Sequence, residues 1–412
     1  MKIRFDYVSL MLIGVLVFQV SILSDTLSMH LWSRLVNAII LLVLAVSFCL
    51  SINQRRPRIV FLYYLLPLML IVLGFSINFV LALNPDSIVQ VSKFLPYLGA
   101  LTIPFFKKYD LARCWKIFYI FMLWGAVIGL FEYIAMSGGF LQPVSIETSR
   151  GVFLKGIFSI LHSLDDGTAY YRFYGVFAEP GTLAMYLIPA LVYALVYSKK
   201  LAVGVFLIAI AMSDSLGGYI SVLIVVYLFL NWQVGESTYK TLAKMMVFLL
   251  AGGVLLMITD ALIVRYAAKG LSASGREDQF FYFADNFIAI LIDKPFGFIL
   301  EGGKSMSTLA NDHKNYLGNN FSFFAAFVQG GLLSFVGYTM FFSLNVIVIL
   351  KYFWQNHDPD RITACAMLSL PGMLIFAFQR PTILESLLFA FLFAVPLLRV
   401  LTREPIILGA TI

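Results

Sequence analysis

The sequence predicts an all-α polytopic membrane protein: one integral membrane domain over residues 1–412, with about twelve transmembrane helices and two large outer loops, 137–179 and 260–319. Three observations carry this prediction. Hydrophobic residues make up 61% of the chain and charged residues only 12%, with a mean hydropathy of +0.90. That is more apolar surface than a soluble domain can bury. Apolar runs of roughly bilayer-crossing length recur along the chain, and lysine and arginine are shared unequally between the loops that separate them.

The runs fall near 7–23, 35–52, 59–82, 94–106, 115–136, 180–198, 201–214, 217–232, 243–259, 320–350, 362–379 and 383–400. Met1–Arg4 is basic, and the apolar run after it has no small-residue cleavage site, so it reads as an anchor rather than a cleaved signal. The run 94–106 is short and holds Pro96 and Pro104. The two runs between Leu201 and Trp232 share about 32 residues, whereas two full crossings want about 40. Their apex, Ser213-Asp214-Ser215-Leu216-Gly217-Gly218, is therefore expected to dip below the membrane surface. Irregular backbone is tolerated there only against protein or a wet cavity.

Of 29 lysines and arginines, 17 map to one side, including Arg55, Arg56, Lys107, Lys108, Lys199 and Lys200. The short loops of the other side hold Arg34, Lys93 and Arg380, and the remaining nine lie in the two long loops. The positive-inside rule then puts both termini in the cytoplasm and both long loops outside. The same rule accounts for the net charge of +7 and the pI near 9.1, so no nucleic-acid partner is expected. Cys49, Cys114 and Cys365 fall at or near cytoplasmic span ends, leaving no disulfide outside.

Apolar positions at helical spacing in Gly151–Leu164 (Phe153, Leu154, Ile157, Phe158, Leu161, Leu164) predict an interfacial helix lying on the outer leaflet. Phe280–Ile292 has the same pattern and should stop at Asp293-Lys294-Pro295, where proline ends a helix.

The nine outer-loop cations, Arg150, Arg172, Arg265, Lys269 and Arg276 among them, admit a plain explanation, because long loops escape the charge rule. They also suit an outward-facing anion site, since guanidinium groups grip a diphosphate bidentately. Arg172 and Arg276 fit that role best, each a few residues before an apolar segment. Glu179 precedes Pro180, a proline suited to the first position of a helix. Its carboxylate either complements the helix dipole, or orients Arg172 and takes a proton from a hydroxyl. Glu132, Asp214, Arg380 and Glu385 also map to outer span ends. His313 and His162 stand alone in the outer loops, with no metal-ligand spacing, so neither metal nor cofactor is expected. No phosphate loop, dinucleotide fingerprint or Ser-His-Asp order occurs. Asn319 and Asn320 open a span with amides, and Gly330-Gly331 within it suits close helix packing.

The pattern Arg172-x2-Gly175-x3-Glu179-Pro180-x3-Ala184 resembles the segment after the first large periplasmic loop of Wzy-type O-antigen polymerases and the related O-antigen ligases. Arg276, followed about twenty residues later by Pro295-Phe296-Gly297, resembles their second large loop, and Asn320 with Gln329-Gly330 resembles the start of the next span. The layout is similar too, with large loops after spans five and nine.

The resemblance implies a GT-C-like, metal-independent glycosyltransferase of the bacterial inner membrane, acting at the periplasmic face on undecaprenyl-pyrophosphate-linked oligosaccharides. A chain-length regulator is a further expected partner. Arg172, Glu179, Arg276 and His313 are then the catalytic candidates; Arg150, Arg265, Lys269, Asn320 and Arg380 are the substrate-binding ones. A ligase, which moves the glycan to lipid A-core, commonly has a histidine just before the position of Asn320. Asn319 stands there and favours a polymerase, while His313 keeps the ligase in view. A lipid-linked oligosaccharide flippase is the rival of another class. It would want ionisable residues near the bilayer midplane, whereas this sequence keeps them at span ends.

Overall fold

The computed structural model describes residues 66–82, 110–142, 144–148, 151–157, 160–163, 173–175, 177, 180–213, 215–233, 285–297, 322–354, 360–379, 392–393, 396–397 and 400. They form helices α1 (Leu66–Ala82), α2 (Leu111–Ser137), α3 (Pro180–Val196), α4 (Lys200–Ser213), α5 (Leu216–Gln233), α6 (285–293), α7 (Ser322–Trp354) and α8 (Arg361–Gln379). Three strands, β1 (Val144–Thr148), β2 (Gly151–Lys155) and β3 (Ile160–Ser163), lie between α2 and α3. The expected spans at 7–23, 35–52, 94–106 and 243–259 lie outside the described residues, as does most of 383–400.

Seven of these helices coincide with apolar runs of the sequence, and two, α2 and the Gly330–Phe353 part of α7, are long and apolar enough to cross a membrane. In α2 the buried residues Leu111, Cys114, Trp115, Phe118, Met122, Ala126, Gly129 and Glu132 recur at three and four, one stripe of a helix. Much of the rest is apolar yet exposed, with Trp124 at 61% and Phe131 at 68%. A water-facing surface rarely carries so large an apolar stripe, whereas a lipid-facing one requires it. Asp110 caps the helix start, its carboxylate accepting from the Arg113 amide at 3.0 Å, and Gly138 caps the end.

Helix α3 is apolar on every face and correspondingly buried from Leu183 to Ala194. It is the hub against which α2, α4, α5 and α8 pack. Small residues set the spacing: a Cβ on Gly218 of α5 would meet Ala184 at 2.9 Å, and one on Gly372 of α8 would meet Ile188 and Ser221 at 3.2 Å. Ser221 of α5 donates to the Gly372 carbonyl at 2.9 Å. Helix α1 packs on α7 in the same glycine-mediated way. Gly74 lies against Gly330 and Ser334, while a Cβ on Gly337 would meet the Pro67 carbonyl oxygen at 2.6 Å. Ser334 donates to the Ile71 carbonyl at 3.0 Å.

These contacts fix relative directions. Residues 67 and 74 of α1 face 337 and 330 of α7, so the pair is antiparallel. Residues 217 and 221 of α5 face 376 and 372 of α8, antiparallel again. A short connection joins α7 to α8, so the start of α7 lies at the same end of the bundle as the end of α8. One end of the bundle therefore gathers the ends of α1, α2, α4 and α8 with the starts of α3, α5 and α7. The opposite end holds an aromatic stack, with Tyr193 4.8 Å from Tyr119 and 4.4 Å from Tyr197. There Asp360 caps α8 through the Ile362 and Thr363 amides, both at 2.9 Å.

The interfacial helix expected over Gly151–Leu164 is not formed. The chain there makes β2 and β3, which pair antiparallel with each other, and β2 pairs antiparallel with β1 in the order β1-β2-β3. Glycines at 151 and 156 weaken a helix at both ends of the first turn and a half, and Val152-Phe153 favours a strand. Helical spacing over so few residues does not separate helix from strand when β1 offers a partner. The second expected amphipathic helix does form over 285–293 and ends at Asp293-Lys294-Pro295, where the Lys294 amide donates to the Ile290 carbonyl at 2.8 Å. Residues 280–284 of that stretch lie outside the described residues.

Candidate functional site

The chain enters α3 through a turn nailed down at both ends. The Phe173 amide donates to the Met212 carbonyl at the end of α4 at 3.0 Å, and the Phe177 amide donates to the Tyr174 carbonyl at 3.1 Å. Both phenylalanine rings are fully buried. Phe173 stands edge-on to Tyr133 of α2 at 6.0 Å, and Phe177 stacks on Tyr186 of α3 at 5.1 Å. Between them Gly175 takes φ +57°, with the Leu183 side chain 3.3 Å from where a Cβ would stand. This explains the glycine of the Arg172–Glu179 pattern: the turn needs the left-handed region at a place with no room to spare. Arg172 immediately precedes the first nail, and Glu179 follows the second by two residues.

The apex between α4 and α5 closes the floor under this turn. Ser213 and Ser215 are buried. The Ser213 hydroxyl donates to the Ile210 carbonyl at 2.7 Å, and the Ser215 hydroxyl accepts from the Gly218 amide at 3.3 Å, capping α5. At both serines the apex sits against protein, as irregular backbone below a membrane surface would require. Glu132, near the end of α2, is 8% exposed. A Cβ on Gly156, just past β2, would stand 2.7 Å from its carboxylate. A buried acid thus sits where the small sheet meets the helices, one helical turn from Gly129, which packs on the Phe173 ring.

The second feature is a broken helix. Gly331 interrupts α7 with φ +66° and ψ −161°, a region closed to side-chain-bearing residues. The turn after α6 fills the break. The Pro295 carbonyl accepts from the Leu332 amide at 2.9 Å, and the next carbonyl, Phe296, accepts from the Asn78 side-chain amide of α1 at 2.8 Å. Gly297, at φ +85°, passes so close that a Cβ would meet the Val328 carbonyl oxygen at 2.7 Å and the Gly331 nitrogen at 2.9 Å. Phe287 of α6 packs on Phe327 and Phe335 of α7, at 5.8 and 4.9 Å. The segments Pro295-Phe296-Gly297 and Gly330-Gly331, noted separately in the sequence, are one structure.

Arg172, Glu179, Arg276, His313, Arg150, Arg265, Lys269, Asn320 and Arg380 lie outside the described residues, as do Asp214 and Glu385. The described residues nearest to them in sequence include the 173–177 turn, the Pro180 start of α3 and the turn at 295–297, all at one end of the bundle. Asn78 was not singled out from the sequence. Its signal was an amide in an otherwise apolar run, which a membrane span retains only with a partner. No family model, curated protein or solved structure matches this chain.

Proposed function

We propose that this protein is a polysaccharide repeat-unit polymerase of the bacterial inner membrane, with twelve spans in a GT-C-like arrangement, cytoplasmic termini and a periplasmic active site. The observation that carries the reading is the convergence at one bundle end of two built turns. One lies between Arg172 and Glu179 in sequence; the other belongs to the second long loop, which also contains Arg276 and His313. Segments of the two loops that carry the charged candidates thus share one bundle end, which supports a site assembled on a scaffold.

In the proposed reaction a hydroxyl of a lipid-linked repeat unit attacks the anomeric carbon of the growing glycan. The bond from that carbon to the pyrophosphate oxygen breaks, and undecaprenyl pyrophosphate leaves. Arg172 and Arg276, with Arg150, Arg265 and Lys269, neutralise the charge that develops on the leaving group, so no metal is needed. Glu179 or His313 accepts the hydroxyl proton. Asn320 and Arg380 hold the sugars. Apolar helix interiors support surface chemistry over transport: α3, Pro180–Val196, carries no charged residue.

A glycan gel of a strain lacking the protein tests this. Caps of a single repeat on lipid A-core are expected. Full-length polymer with bare core would make the protein a ligase, and absence of periplasmic glycan would make it a flippase.

A further inference from the structure

Two successive carbonyls of the turn after α6 are held by two different helices. Pro295 is held by the amide of Leu332, which the break in α7 has released from its own helix, and Phe296 by the side chain of Asn78 in α1. The turn and its partner in α7 are partly exposed, with Phe296 at 47% and Leu332 at 38%, whereas the α1 residue that holds Phe296 is not. Asn78 is 3% exposed, and the atoms around the break are the Gly74, Gly330 and Ser334 contacts that seal α1 to α7. Helix α1 is a distant part of the chain, 218 residues from the carbonyl it holds, so this hydrogen bond does not follow from local folding of the loop.

We propose that Asn78 is a positioning residue. It clasps the turn at 295–297 into the break of α7 and so fixes the second outer loop to the helix bundle. It acts through the turn and does not touch substrate. Arg276 lies about twenty residues before the clasp and His313 sixteen after it. The loop that carries both thus has a fixed point between them. The assignment rests on the polymerase reading for its consequence, but the clasp itself can be read without any glycan.

The test uses Asn78→Leu, which keeps volume and removes the donor, and Asn78→Ser, which stays polar but is too short to reach Phe296. The full-length protein is purified in lipid nanodiscs, and hydrogen exchange is followed in peptides covering Leu332. Polymer made per protein is measured in membranes of matched expression. For either variant, the expected result is exchange at Leu332 about five- to tenfold faster, the scale of one lost hydrogen bond. A fall in polymer should accompany it, with unchanged thermal stability of the α3 hub. Unchanged exchange in the well-folded serine variant overturns the clasp. Faster exchange with wild-type polymer overturns the positioning role. A wild-type protein that makes no polymer overturns the functional reading alone, because exchange still reports the clasp.

Discussion

Replacing Gly331 with alanine tests the account of the broken helix directly. At φ +66° and ψ −161° the backbone lies in a region that costs a side-chain-bearing residue about 1–3 kcal/mol. The added Cβ would also stand 2.6 Å from the Phe296 Cα. Backbone cannot swing aside as a flexible side chain can, so the overlap adds about 1–3 kcal/mol. Relief by lifting the turn would give up the Leu332–Pro295 hydrogen bond, worth about 1 kcal/mol net. Any route therefore loses about 2–6 kcal/mol. Gly125→Ala is the matched control, since a Cβ there meets nothing within 4 Å and alanine favours the helix by up to about 1 kcal/mol. Thermal unfolding of the two variants in detergent should separate by at least about 4 °C, taking the scale of 2–4 °C per kcal/mol for larger domains. Equal melting temperatures would refute the break and the docked turn together.

Three further outcomes follow from the charge pattern and the proposed chemistry. A periplasm-only reporter fused at Gly167 or Ser307 should be active and one at Gln54 or His357 silent; activity at Gln54 would reverse the orientation. Arg172→Ala should abolish polymer at normal protein levels, and Arg172→Lys should restore little because an ammonium lacks the bidentate fork. Glycan gels read both variants, and full activity of the lysine variant would reduce the role to diffuse charge. Glu179→Gln should lower polymer by about 10²–10⁴-fold, the usual range for a lost general base, with His313→Ala milder. The reverse order would assign the base to His313 and strengthen the ligase reading.

What the sequence made legible was what membrane physics dictates over long stretches. The bounds of α2 to α5, α7 and α8 could be read because lipid demands unbroken apolar runs, and Pro180 and Pro295 mark a helix start and stop by the same logic. The sheet was not legible. Residues 151–164 carry apolar spacing that suits either structure, and the choice depends on β1, whose pairing is a tertiary fact. Nor was the clasp legible. The close helix packing expected of Gly330-Gly331 is met at Gly330, which lies against α1, but nothing local says that the second glycine leaves the helix. That depends on Pro295 and Phe296 arriving from outside it. The candidate charges could be chosen by type and place along the chain, whereas their supports, Phe173, Gly175 and Asn78, became visible only through contacts between distant segments.

The two ends of the bundle treat irregular backbone differently, and this bears on where function lies. At the end with Asp110 and Asp360 the helices start on ordinary carboxylate caps, and the tight turn Tyr197–Lys199, with Ser198 at φ 54°, is largely open to solvent. Water can satisfy what the chain leaves unpaired there. At the other end Gly139, after α2, is also open to solvent, but Gly175, Gly297 and Gly331 take left-handed φ while buried. Backbone beside each buried glycine is held by another segment: Phe173 by Met212, Pro295 by Leu332 and Phe296 by Asn78. Buried irregular backbone in an apolar surrounding is costly unless it is so matched. The matched end is also where Phe173, next in sequence to Arg172, and the turn at 295–297, in the same long loop as Arg276, are held.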